Sequence, residues 1–143
     1  LVGSEMCIRD RGLLVRATPL VQPRMNLLSE APNMLRFLYI ADSDLVVEDD
    51  ALKKLGDDPT SVVNRAIAII EEGGEENFHA EALEASLRAA IIEGMGVKPR
   101  LAFGPLRSAI SGRRVSPPLF ESMELLGMES TLARLRAFVG LLG

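Results

Sequence analysis

The amino-acid sequence predicts an all-α fold, an array of about seven to eight short helices forming two small bundles. Three observations carry this expectation. Apolar residues make up 48% of the chain but aromatic ones only 4%, with no Trp, so aliphatic side chains, chiefly Leu and Ala, must fill the core. The Val–Ile–Tyr alternation that marks strands is weak. Apolar positions recur instead at helical spacing, punctuated by proline and glycine. At 143 residues the chain is long enough to bury a core, as one domain or two small ones.

In chain order, residues 1–11 fit nothing that follows. They resemble translated sequencing-adapter sequence and lack the apolar core and small-residue cleavage site of a signal peptide. They are therefore read as non-native, with the true protein extending upstream. Leu13, Leu14, Ala17, Leu20, Val21, Met25 and Leu28 form a helical stripe, within which Thr18-Pro19 can restart the helix. A second helix is expected from Ala31-Pro32, carrying Met34, Leu35, Phe37, Leu38 and Ile40. Residues 42–50 read as an acidic solvated loop that lacks the spaced oxygens and central glycine of a calcium loop.

A short helix is expected over Ala51–Leu55, ending at Gly56. Asp58-Pro59 starts the next, with Val62, Val63, Ala66, Ile67 and Ile70 on one face, fading at Gly73-Gly74. Near His79, read as a capping or exposed histidine, a helix begins that carries Ala82, Leu83, Leu87, Ala90 and Ile91 and closes around Gly94–Gly96. After Lys98-Pro99 another should run to Gly112 with Leu101, Phe103, Leu106, Ala109 and Ile110 inward, kinked or delayed by Pro105. The last, from Glu129, places Leu132, Leu135, Phe138 and Val139 at helical spacing. The polar run at residues 71–76 divides the chain into an upstream helical part, 12–74, and a C-terminal bundle, 75–143.

Composition narrows the function. One cysteine, Cys7, and one histidine, His79, leave no internal disulfide and no zinc-ligand spacing. No apolar run reaches the roughly 18 residues of a membrane span, and a reducing, cytoplasmic compartment is expected. The net charge of −4 hides an asymmetry: residues 30–93 hold 15 acids against 5 bases, and residues 94–143 hold 7 bases against 3 acids. A polyanion is repelled by the first region and attracted by the second, so contact with nucleic acid should be local.

The basic character concentrates in one stretch. From Gly94 to Phe120 there is no Asp or Glu, but there are Lys98, Arg100, Arg107, Arg113 and Arg114. Ser116-Pro117-Pro118-Leu119-Phe120 then reads as a helix start, with Ser116 as N-cap and Pro117 at the first helical position. The apolar run Leu119, Phe120, Met123, Leu125, Leu126 stops at Gly127. Arginines ahead of a helix N-terminus suit a reader of phosphates and bases. The same residues also fit a solvated loop between two core helices.

The string Pro105-Leu106-Arg107, Ser111-Gly112-Arg113, Ser116-Pro117-Pro118-Leu119-Phe120-Glu121 and Leu125-Leu126-Gly127 resembles, without gaps, the C-terminal anticodon-binding region of bacterial glutamyl-tRNA synthetases. The text from Pro19 to Tyr39 resembles the helical segment upstream of it in that family. The resemblance runs from about Leu13 to the C-terminus and is densest between Ala90 and Leu135. It implies a monomeric anticodon-binding helical domain that discriminates the anticodon loop of tRNA(Glu). It also implies that residues matching Arg107, Ser116, Pro117, Leu119 and Phe120 contact anticodon bases. Lys98, Arg100, Arg113 and Arg114 are assigned to phosphates on charge alone. Some members sense the third anticodon base, and so reject tRNA(Gln), through an upstream arginine, for which Arg24 and Arg36 are the candidates.

Nothing in the chain looks catalytic. There is no nucleophile–histidine–acid set and no glycine-rich phosphate loop, and the HIGH and KMSKS motifs of a class I synthetase are missing. The resemblance therefore implies that glutamate is attached to tRNA(Glu), with ATP and Mg2+, by upstream residues of a parent ligase. Two other classes fit the residues: a helix-turn-helix DNA-binding protein built on 116–138 and read through Arg134 and Arg136, and a helical protein–protein interaction domain.

Overall fold

The computed structural model describes residues 35–113 and 116–143. Five α-helices lie among the described residues: α1 Pro59–Gly73, α2 Ala80–Leu87, α3 Pro99–Ser111, α4 Leu119–Leu126 and α5 Met128–Leu142. A π-helical segment, Arg88–Glu93, continues α2, and 3-10 turns at Arg36–Leu38, Asp42–Asp44, Asp49–Leu52 and Glu75–Asn77 fill connections. The all-α expectation holds, with fewer full helices among these residues than the seven or eight expected. The expected stripe from Leu13 to Leu28 and the 1–11 segment lie outside the described residues.

Local chemistry explains most boundaries. Pro59 opens α1, and Asp58 caps it: the Ser61 N–H donates to Asp58 Oδ1 at 3.1 Å and the Ser61 hydroxyl to Oδ2 at 2.6 Å. The hydroxyl bond first, and the N–H bond second, hold the Asp58 carboxyl below its ordinary value of 3.8. His79 caps α2 by accepting from the Ala82 N–H through Nδ1 at 3.4 Å. Helix α3 starts at Pro99 without delay, runs through Pro105, and ends where Gly112 turns left-handed at φ +74°.

Three expected elements differ. Where a helix was expected over Ala51–Leu55, a 3-10 turn at Asp49–Leu52 is followed by left-handed Lys54, φ +57°, and Gly56, φ +96°. Burial of Ala51 and Leu55 at its two ends, rather than helix propensity, fixes this segment. Residues 31–34 of the helix expected from Ala31-Pro32 lie outside the described residues; Leu35 is α-helical, but Phe37 and Leu38 belong to a 3-10 turn, Arg36–Leu38. Ser116 is not the N-cap of α4 and Pro117 is not its first residue: the helix begins at Leu119 with Pro118 at the N-cap. The reason is steric, because a residue preceding proline is driven out of the α region. In Pro117-Pro118 that residue is Pro117 itself.

Helices on both sides of residues 74–78 share one apolar core. Helix α1 packs along α5, α3 packs on both, and α2 lies against α4. Val63, Leu87, Ile91, Leu106, Met123 and Phe138 are fully buried in it, each side chain of this size contributing about 1.5–3 kcal/mol. Among the described residues one charged side chain lies inside. Arg134 of α5, 2% exposed, donates from Nε to Asp42 Oδ1 at 2.7 Å. Its other nitrogens donate to the Ile110 carbonyl at 2.8 Å and the Ile40 carbonyl at 3.0 Å.

Replacing Arg134 with Ala strips Asp42 and two carbonyls of their donor at once, and should lower the unfolding free energy in urea by about 3 kcal/mol. Asp58→Ala should lower the melting temperature at neutral pH. Because the folded carboxyl titrates below 3.8, its contribution is present above that value and lost as pH falls through the folded value. The gap between wild type and Asp58→Ala should therefore close in melts taken below that range.

Candidate nucleic-acid interface

Helix α3 carries the basic stretch. Arg100, Gly104 and Arg107 are spaced four and three residues apart, so they share one stripe of the helix. The opposite stripe, Ala102, Leu106 and Ala109, is buried. Arg107, half-buried, donates from Nη1 to the Pro117 carbonyl at 3.3 Å. The Ser116 hydroxyl donates to the same carbonyl at 3.2 Å. The structure thus gathers Arg107, Ser116 and Pro117 around one oxygen, ten residues apart in sequence at the widest.

Beyond that oxygen, the loop is anchored from below. Leu119 and Phe120 are 3% and 8% exposed, and the Phe120 ring meets Phe103 edge-on, centroids 5.2 Å apart. The Arg88 guanidinium covers Phe103 at 5.3 Å. Leu119 and Phe120, which the resemblance assigns to anticodon bases, both pack into the core. Ser116 is also buried and Pro117 completely so. Pro118 is half-buried, and its carbonyl accepts from the Ser122 hydroxyl at 2.7 Å.

The remaining cations separate. Lys98 and Arg100 are exposed at the start of α3, while Arg114 lies outside the described residues. Arg113 pairs with Glu48 at 3.5 Å, and with exposed Arg36 it lines a second hollow that also contains Asp44 and Glu48. The chain can come this close only because residue 112 is glycine: a Cβ there would sit 2.4 Å from the Val46 carbonyl oxygen. The Glu48 N–H donates to the Gly112 carbonyl at 2.8 Å across the same contact. Arg24 lies outside the described residues.

What sequence reasoning missed is the wall facing α3. A groove of ≈ 380 Å³ is lined by Arg100, Gly104 and Arg107 on one side and by Lys53 and Lys54 on the other. The two lysines belong to the acid-rich region, so block charge counting concealed them.

A model of the anticodon binding domain family matches residues 5–139. The chain belongs to this family. It is 53% identical over 137 residues to the glutamate–tRNA ligase of Kocuria rhizophila, covering 96% of this chain and 27% of that protein. The glutamate–tRNA ligase of an Arthrobacter species is 49% identical over 140 residues, covering 98% of this chain and 27% of the relative. That of Kineococcus radiotolerans is 55% identical over 123 residues, covering 86% and 24%. The chain spans about a quarter of the length of these curated relatives.

In this anticodon-binding domain the helix-turn-helix alternative loses its readers. Gly127 does form the turn between α4 and α5. Arg134 is spent inside the core, however, and Arg136 pairs with Glu71 at 2.7 Å. Among the described residues no group of three His, Cys, Asp or Glu side chains is placed to hold a metal ion, and no helix is long and apolar enough to cross a membrane.

Gly112→Ala must strain a left-handed residue and move the Val46 carbonyl. It should cost more than about 1 kcal/mol in a urea titration, because no L side chain fits the contact.

Proposed function

We propose that this domain is the part of a glutamate–tRNA ligase that binds and discriminates the anticodon loop of tRNA(Glu). Family membership and 53% identity to a glutamate–tRNA ligase over 96% of this chain support the reading. The observation that carries it is Arg107 fixed at the Pro117 carbonyl beside an acid-free basic stripe. A guanidinium is a planar fork of five donors, suited to a base edge or a phosphate. Held at the Pro117 carbonyl, that fork lies where unstacked bases can be read.

The remaining site residues divide their roles. Ser116 fixes the Pro117 carbonyl, and Leu119 and Phe120 anchor the loop from the core, so their contribution to base contact passes through the backbone they position. Lys98, Arg100, Arg113 and Arg114 supply phosphate contacts that hold the RNA in register without reading it. Attachment of glutamate, with ATP and Mg2+, belongs to the parts of such a ligase that this chain does not span. The domain acts as a monomer in the cytoplasm.

The test is fluorescence anisotropy of the chain with a labelled tRNA(Glu) anticodon stem-loop and with the same hairpin carrying a scrambled loop. Tighter binding of the native loop, weakening with salt, is expected. Equal affinity for both would reduce the surface to a basic patch, and no affinity in a folded chain would favour an interaction domain. Arg107→Ala should cost about 1–3 kcal/mol of native-loop affinity while leaving the circular dichroism spectrum unchanged.

A further inference from the structure

The groove over Gly104 is built from two distant pieces of chain. Its α3 wall holds Arg100 and Arg107, and its other wall is the turn carrying Lys53 and Lys54. That turn is pinned at both ends. The Ser108 hydroxyl of α3 donates to the Ala51 carbonyl at 2.8 Å in a buried bond, and Leu55 is 8% exposed. Gly56 then passes so close to α3 that an added Cβ would lie 3.3 Å from the Leu101 side chain. Between the pins both lysines are exposed. Lys54 holds a left-handed backbone, φ +57°, which costs a non-glycine residue about 1 kcal/mol.

The lining contains four cations and no carboxylate. Asp50 and Asp57 flank the turn in sequence but do not line the groove. Like charges gathered on one groove raise one another's energy, and an anion seated among them lowers it. The floor is open as well, since apart from the neighbouring residues and the backbone of α3 itself no atom lies within 4 Å of where a Cβ at Gly104 would sit. Arg100 and Arg107 are separated by about 10 Å of helix rise, and a row of that length suits a chain of phosphates rather than a single one.

We propose that this groove seats the phosphate backbone of the RNA strand whose loop is read at Arg107, with Lys53 and Lys54 as its second wall. The inference rests on the anticodon-binding reading and extends it to residues of the acid-rich region. Arg107 lines the groove and bonds to the Pro117 carbonyl, so one side chain joins the phosphate track to the loop reader. Backbone contacts carry no sequence information. The lysines should therefore strengthen binding equally for correct and incorrect loops.

The experiment is the anisotropy titration with native and scrambled hairpins, repeated over a salt series, on wild type, Lys53→Gln/Lys54→Gln, and Lys54→Gly. The double variant should bind both hairpins more weakly by the same factor. Its slope of log affinity against log salt should be shallower by about 1.4, at ~0.7 per lost single-strand phosphate contact. Lys54→Gly relieves the left-handed strain, so it should melt no lower than wild type and yet bind more weakly. Unchanged affinity and slope in both variants would overturn the groove while leaving anticodon reading intact. Weakening confined to the native loop would also overturn it, by making the lysines base readers. A folded wild type with no RNA affinity removes both proposals.

Discussion

The guanidinium of Arg134 is the contact on which the arrangement turns. It joins the last helix to the C-terminal end of α3 and to the strip at Ile40–Asp42. Taking a charged group out of water is costly unless it is paired and hydrogen-bonded, and here Asp42 and two carbonyls give each of its three nitrogens a partner. The match exists in one placement only. A shift of the 40–56 segment by one residue would leave both the cation and the carbonyls unsatisfied, which is the way a buried polar group specifies position even when it adds little net stability. The segment so located is the one that meets Gly112 and carries Lys53 and Lys54 onto the flank of α3.

Helix α3 then serves two faces. Inward it gives Phe103, Leu106 and Ile110 to the shared core. Outward it gives Arg100 and Arg107, and glycine between them keeps the space clear. Pro105 sits in the same helix and is fully buried. It removes one backbone donor without ending the helix, because packing on α1 and α5 holds both halves in line.

Much of this was legible in the residues. Asp58-Pro59, His79 and Lys98-Pro99 mark three helix starts within a residue, because capping is local chemistry that needs no knowledge of the fold. Other features depend on the fold itself. The left-handed Lys54 follows from burial of Leu55 beside it, and no propensity forecasts that. The misplacement of the α4 start at Ser116 has a different origin: cap preference outweighed the rule that a residue before proline leaves the α region. Arg134 was readable in principle. It lies on the stripe Thr131, Leu135, Phe138 at helical spacing, and a charge centred on an apolar stripe announces a buried partner. Of the candidate site, family resemblance named Arg107, whereas the groove with its lysine wall is formed by chain segments about fifty residues apart, beyond the range of any linear pattern.

The way the Pro117 carbonyl is held bears on kinetics. Two successive prolines restrict φ, Ser116 and Arg107 both donate to the same oxygen, and the following Leu119 and Phe120 are sunk in the core. The backbone from Ser116 to Phe120 loses its conformational freedom on folding, before any ligand arrives, so little ordering of that stretch remains to be done at encounter. Arrival of a polyanion is then governed by long-range charge, which is indifferent to loop sequence. A matching and a mismatching loop would reach the surface at similar rates and differ in how long they stay.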